Sequence, residues 1–91
     1  MLVDLLKFDV VDAQLAYELM KKQAVTSRDD EGCHFAHAFR SKENPSELYL
    51  LMAWENKECV EKHFQTEHDV AFREKLDPIL KGPPEFLELI V

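Results

Sequence analysis

The stretch EKHFQTEH, residues 61–68, sets His63 and His68 five positions apart in a run that otherwise reads as helix. An imidazole takes up and releases protons near neutrality, so either ring is a candidate general base. His63 has Cys59, Val60 and Phe64 beside it on the helical face, at the edge of an apolar stripe. A partly desolvated ring there, with a near-neutral pKa, suits removal of a proton from a phenol or an enolisable carbonyl. His68 lies on the line of Phe64 and Phe72, close to a helix start, where positive charge is disfavoured and a neutral ring is expected. The competing reading of both is a ring satisfied by backbone at a helix end, or packed in the core. Five positions on an unbroken helix turn the two rings apart. Thr66, followed three residues later by Asp69, resembles a capping pair in mid-run. It predicts two helical pieces, roughly 56–65 and 67–80, and a break that lets both rings serve one site.

Trp54, Phe35, Phe39, Phe64 and Phe72 read first as core, with an aromatic-lined pocket as the alternative, and Met52 as a flexible wall. Cys59 and His63 share a helix face at a spacing zinc accepts, but His34 and His37, three apart on a strand, point to opposite faces. No metal set is expected. Cys33 and Cys59 read as small buried hydrophobes. With only Gly32 and Gly82 as glycines, a phosphate-cradling loop is excluded, and no cofactor is expected.

The elements that must position these residues follow from periodicity. LVDLLKFDV (2–10) reads as a strand, and Asp12 as the N-cap of an amphipathic helix over 12–26. SRDDEG (27–32) is a turn. CHFAHAFRS (33–41) alternates, with Cys33, Phe35, His37 and Phe39 on one face; after the KENPS turn, ELYLLMAW (47–54) completes a hairpin. Gly82, Pro83 and Pro84 stop the second helical run before a last strand, EFLELIV (85–91). The order predicts a ferredoxin-like α+β fold, βαββαβ, with a four-stranded antiparallel sheet and the helices on one face.

Two helices cover one face of such a sheet. A face left in water should alternate in polarity, yet LYLLMAW is apolar throughout and FLELIV holds one charge. The expectation is a homodimer, sheet face against sheet face.

Ninety-one residues predict one domain, 1–91. The 46% hydrophobic and 32% charged content exclude disorder, and a net charge of −7 without a basic patch argues against nucleic acid or an anionic membrane as partner. Two cysteines make no disulfide framework. The apolar N-terminus, broken by Asp4, Lys7 and Asp9, suits neither a signal peptide nor a membrane span, so a cytoplasmic location is expected.

EGC at 31–33, Trp54, His63, His68 and Phe72, with the block WENKECVEKHFQTEHDVAF and the turn LKGPPE, resemble the antibiotic biosynthesis monooxygenase family over essentially the whole chain. The resemblance implies a dimeric α+β barrel with a pocket between sheet and helices. It moves Trp54 and Phe72 towards the ligand, with Met52, Phe64 and Phe35 as further wall. Members oxidise quinols or polyketide aromatics with dioxygen and no cofactor, degrade a quorum-sensing sugar derivative, or, among relatives, degrade heme. In the heme-degrading relatives the iron ligand aligns near Phe72, which cannot bind iron. Many members carry a glutamate where this chain has Met52, and an aromatic where it has Ala36. The first difference removes an acid–base group, and the second predicts a roomier pocket. The leading expectation is a cofactor-independent monooxygenase for a small aromatic or quinol-like substrate, with His63 or His68 as base. The alternatives are an isomerase or degrading enzyme for a small carbonyl compound, and a non-catalytic dimer that binds an apolar small molecule.

Overall fold

The computed structural model describes all 91 residues. Its elements are β1 (Leu2–Asp9), α1 (Ala13–Ser27), β2 (Cys33–Arg40), β3 (Glu47–Trp54), α2 (Lys57–Phe64), α3 (Glu67–Leu76), a 3₁₀ turn (Asp77–Ile79) and β4 (Glu85–Ile90). The strands form one sheet in the order β2-β3-β1-β4, every neighbouring pair antiparallel. This is the ferredoxin-like arrangement, with the second helical run divided. No helix is long and apolar enough to cross a membrane.

Side-chain caps set the helix starts. Asp12 accepts from the Leu15 amide at 3.0 Å and Asn56 from the Cys59 amide at 3.0 Å. Thr66 works in both directions. Its Oγ1 donates to the His63 carbonyl at 2.7 Å, closing α2, and accepts from the Asp69 amide at 3.2 Å, opening α3. The helical break therefore lies where the Thr66–Asp69 spacing puts it.

Cross-strand register sorts each strand into two faces. Leu2, Asp4, Leu6 and Phe8 of β1 stand opposite Trp54, Met52, Leu50 and Leu48 of β3, and these eight face the helices. Val3, Leu5, Lys7, Tyr49, Leu51 and Ala53 face the other way. A bulge between Cys33 and Phe35 changes the parity of β2. Cys33 consequently lies opposite Trp54 and packs on the core, while Phe35, His37 and Phe39 stay on the outer face. The single face expected for all four residues is corrected by that one-residue insertion.

The outer face is apolar and open. Leu87 and Leu89 of β4 and Phe39 of β2 are 54%, 44% and 47% exposed. This agrees with the absence of polar alternation in the strands.

Candidate functional site

Residues from four elements meet beside the C-terminal end of β3. His63, on the last turn of α2, is 1% exposed, and its ring tilts over that of Trp54 with 4.6 Å between centroids. Thr66 then resets the helix axis, so His68 in the first turn of α3 brings its ring to 5.6 Å from that of His63. The two histidines belong to one constellation, which an unbroken helix would forbid.

Asp30 joins them. His63 Nδ1 lies 2.7 Å from Asp30 Oδ2, and His68 Nε2 lies 2.8 Å from the same oxygen. Asp30 is delivered by the turn after α1. Gly32 there adopts φ +76°, a left-handed conformation that favours glycine. Its carbonyl accepts from the Glu55 amide at 2.8 Å, tying the turn to the end of β3.

Asp69 takes the other side. It is buried, and its Oδ1 sits 3.3 Å from His63 Nε2, a close ionic contact without the alignment of a good hydrogen bond. Gln23 Nε2 donates to Asp69 Oδ1 at 2.9 Å, and Arg73 Nε donates to Oδ2 at 3.0 Å. Arg73 Nη2 also donates to the Phe64 carbonyl at 2.7 Å, satisfying a backbone acceptor left free at the end of α2. Burial pushes the His63 imidazole towards its neutral form. Asp69 and Asp30, by hydrogen bonding and charge, outweigh that and hold its pKa above the ordinary value. Both ring nitrogens face carboxylates, which favours the protonated form.

Asp4 is the second buried acid. It is fully buried, neither oxygen has a hydrogen-bond partner in the protein, and it points to the helix side of the sheet opposite Met52. Burial first, and then the charge of Glu88 on β4, raise its pKa to about 6, with the nearby charge of His63 pulling the other way. This carboxylate thus lies at the facing position to Met52 on the adjacent strand. Trp54 Nε1 is also buried without an acceptor.

Next to these groups lies a recess of about 100 Å³ between sheet and helices. Leu6, Met52, Phe64 and Phe72 line it, with Asp69 and Arg73 on its polar side. Met52, Phe64 and Phe72 are three of the expected wall residues; Trp54 does not line the recess and packs against His63 instead. Phe35 is on the opposite face of the sheet and takes no part in this recess. The recess is narrow despite Ala36, because Phe64, Phe72 and Met52 fill the space. It is smaller than a cavity of about 150 Å³ that admits benzene elsewhere.

The sequence reading missed Asp4, Asp30, Asp69 and Gln23 as site residues. Asp4 left a signal, because it occupies the same strand parity as Leu2, Leu6 and Phe8 and is therefore a charge at a core-facing position. Asp69 was read as a cap, but its carboxylate turns inwards to Gln23 and Arg73. Asp30, in a polar turn, left none. Cys59 and the histidines of β2 do not join the cluster. His34 Nε2 pairs with Glu55 at 2.6 Å, and His37 Nδ1 lies 3.3 Å from Arg28 Nη2.

The family model for antibiotic biosynthesis monooxygenase matches residues 12–75. No curated protein matches the chain in sequence. Among solved structures, a candidate antibiotic biosynthesis monooxygenase from Nitrosomonas europaea superposes with a TM-score of 0.95 at 16% identity, covering 100% of this chain and 98% of that one. Another candidate, from Deinococcus radiodurans, gives 0.91 at 13% identity, covering 100% and 92%. A conserved protein of unknown function from Bacteroides thetaiotaomicron gives 0.83 at 22% identity, covering 97% of each chain. At these identities the likeness is one of fold.

Proposed function

The chain belongs to the antibiotic biosynthesis monooxygenase family, and from that premise we propose that it oxygenates a single-ring, quinol-like aromatic with dioxygen, without an organic cofactor. One observation carries the reading: a fully buried, unpartnered Asp4 carboxylate and an unpartnered Trp54 Nε1 on the inner sheet face, one residue behind the recess wall formed by Leu6 and by Met52, which stands opposite Asp4. Buried polar groups without partners are costly and call for a reason. A guest hydroxyl that donates to Asp4 and accepts from Trp54 supplies one. Asp4, ionised above about pH 6, then takes the hydroxyl proton. The electron-rich anion passes an electron to dioxygen, and the radical pair recombines at a ring carbon. Loss of water leaves a hydroxyquinone that retains one oxygen atom, the other leaving in the water. The protein's share is orientation, exclusion of solvent and stabilisation of the anion by Trp54 Nε1–H and by the nearby charge of His63.

In this reading Phe64, Phe72, Met52 and Trp54 hold the ring, and the recess must open slightly to admit it. Met52 and the partly exposed Phe64 are the groups able to yield. A polycyclic substrate does not fit. The test is a methyl-substituted benzohydroquinone incubated in air and under nitrogen. The expected result is hydroxyquinone formation only in air, with one labelled atom incorporated from ¹⁸O₂. Equal turnover under nitrogen rules the oxygenase out.

Asp69 and Arg73 at the recess favour a second reading, because they give a small carbonyl compound the polar contacts it needs. That enzyme would isomerise or cleave its substrate equally well with and without dioxygen.

We also propose that two copies pair through their outer sheet faces. Sedimentation is expected to give twice the 10.6 kDa chain mass. Leu87→Glu with Leu89→Glu should give folded monomers, since both side chains are already exposed on the single chain. A wild-type protein that stays monomeric at high concentration overturns this.

A further inference from the structure

We propose that Asp30, His63 and His68 bind one divalent transition-metal ion through Asp30 Oδ2, His63 Nδ1 and His68 Nε2. The three come from separate elements: the turn after α1, the last turn of α2 and the first turn of α3. Their ligand atoms lie within 4.8 Å of one another, with Nδ1 and Nε2 at 2.7 and 2.8 Å from the shared oxygen. An ion with bonds of about 2.0–2.2 Å holds neighbouring ligands roughly 3–3.5 Å apart, so each nitrogen must part from the shared oxygen by about half an ångström, and the two nitrogens, within 4.8 Å of each other, must settle to the same spacing. Two imidazoles and one carboxylate suit zinc, cobalt or nickel better than calcium or magnesium.

The outer contacts are those of metal-ligating histidines, whose second ring nitrogen is held by an acceptor. The Gln23 amide shows why. Its Nε2 donates to Asp69, a group that only accepts, so its Oε1 is the atom turned to His68 Nδ1 at 3.2 Å. His68 Nδ1 must then donate, which leaves Nε2 directed at Asp30. His63 turns Nδ1 to Asp30, while its Nε2 makes a 3.3 Å ionic contact with Asp69 that lacks hydrogen-bond alignment. One carboxylate oxygen thus stands between two ring nitrogens, and the other nitrogen of the His68 ring is already taken by Gln23. Either a proton on each ring or a single dication satisfies that arrangement. His63 is 1% exposed, but the side chains of Asp30 and His68 are 17% and 24% exposed and give the ion a way in. The ion would clip the turn after α1 to both sides of the α2–α3 break.

The test titrates metal-stripped, tag-free protein with cobalt(II). The expected result is saturable one-to-one binding with visible ligand-field absorption, displacement by zinc, and a higher melting temperature when zinc is present. His63 is buried and its loss can unfold the chain, so the deciding variants are Asp30→Asn and His68→Gln, each checked by circular dichroism. Each should weaken binding more than about 10-fold, and Gln23→Ala should weaken it by about 10-fold. His34→Gln should leave binding unchanged. Absence of one-to-one binding overturns the proposal, as does binding that survives Asp30→Asn and His68→Gln but is lost in His34→Gln. The measurement uses no organic substrate, so it stands or falls separately from the oxygenase reading.

Discussion

Asp4→Asn is expected to lower turnover of a benzohydroquinone by about 10²–10⁴-fold, the usual contribution of a positioned general base. The wild-type rate should rise with pH through about 6 as Asp4 ionises, and the variant should lack that limb. Stability is expected to move the opposite way. The folded state binds the Asp4 proton more tightly than the unfolded chain, with a pKa of about 6 against 3.8. Below 3.8 both states are protonated and the group makes no difference. Between the two values the unfolded chain sheds its proton first, so rising pH favours unfolding, by about 3 kcal/mol in all. The groups that act on Asp4 are Glu88 from β4 and His63 from α2, with the apolar Met52 opposite it on β3. Asparagine cannot ionise. The melting temperature of Asp4→Asn relative to wild type should therefore climb from pH 4 to pH 7, by on the order of 10 °C for a domain of this size. A difference that does not change with pH would show that the buried carboxylate is not strained, and an unchanged rate would remove Asp4 from the chemistry.

Gly32→Ala is expected to destabilise the fold by about 2–5 kcal/mol, combining a left-handed backbone penalty with overpacking. A Cβ at this position would lie 2.4 Å from Cys59 Sγ and 2.8 Å from Cys59 Cβ, at a φ of +76°. The near atoms belong to a short buried side chain on α2 that has little room to retreat. Because Gly32 follows Asp30 by two residues, the same substitution should displace the carboxylate that joins His63 to His68. Thermal melts followed by circular dichroism provide the measurement. Gly82→Ala is the control, since nothing lies within 4 Å of a Cβ there, and it should change stability by no more than about 0.5 kcal/mol. Cys59→Ala should rescue part of the loss in the double variant, by removing the nearer of the two contacts. A Gly32→Ala protein that melts with the wild type would mean the turn is soft and does not position Asp30.

Much of the frame was written in local pattern. Asp12, Asn56 and Thr66 cap the three helices through their own side chains, and capping depends on residues only three apart. The apolar character of both strand faces announced the open outer face, because alternation is a period-two signal within one strand. Met52, Phe64 and Phe72 sit on the inner parity of a strand or the inner stripe of a helix, which marked them as core-facing; the resemblance, not the periodicity, moved Phe72 towards a ligand.

What folding alone decided is which polar groups keep company. Asp30 and His63 are 33 residues apart, and Gln23 and Asp69 are 46 apart; no periodicity links them. One inserted residue near His34 set the parity of β2 and kept Phe35 on the outer face while returning Cys33 to the core. Asp4 shows the boundary most plainly. The sequence placed a charge at a core-facing position of the first strand, but only the packed sheet left its carboxylate without a partner, because burial and hydrogen bonding are properties of neighbours that the chain brings together from a distance.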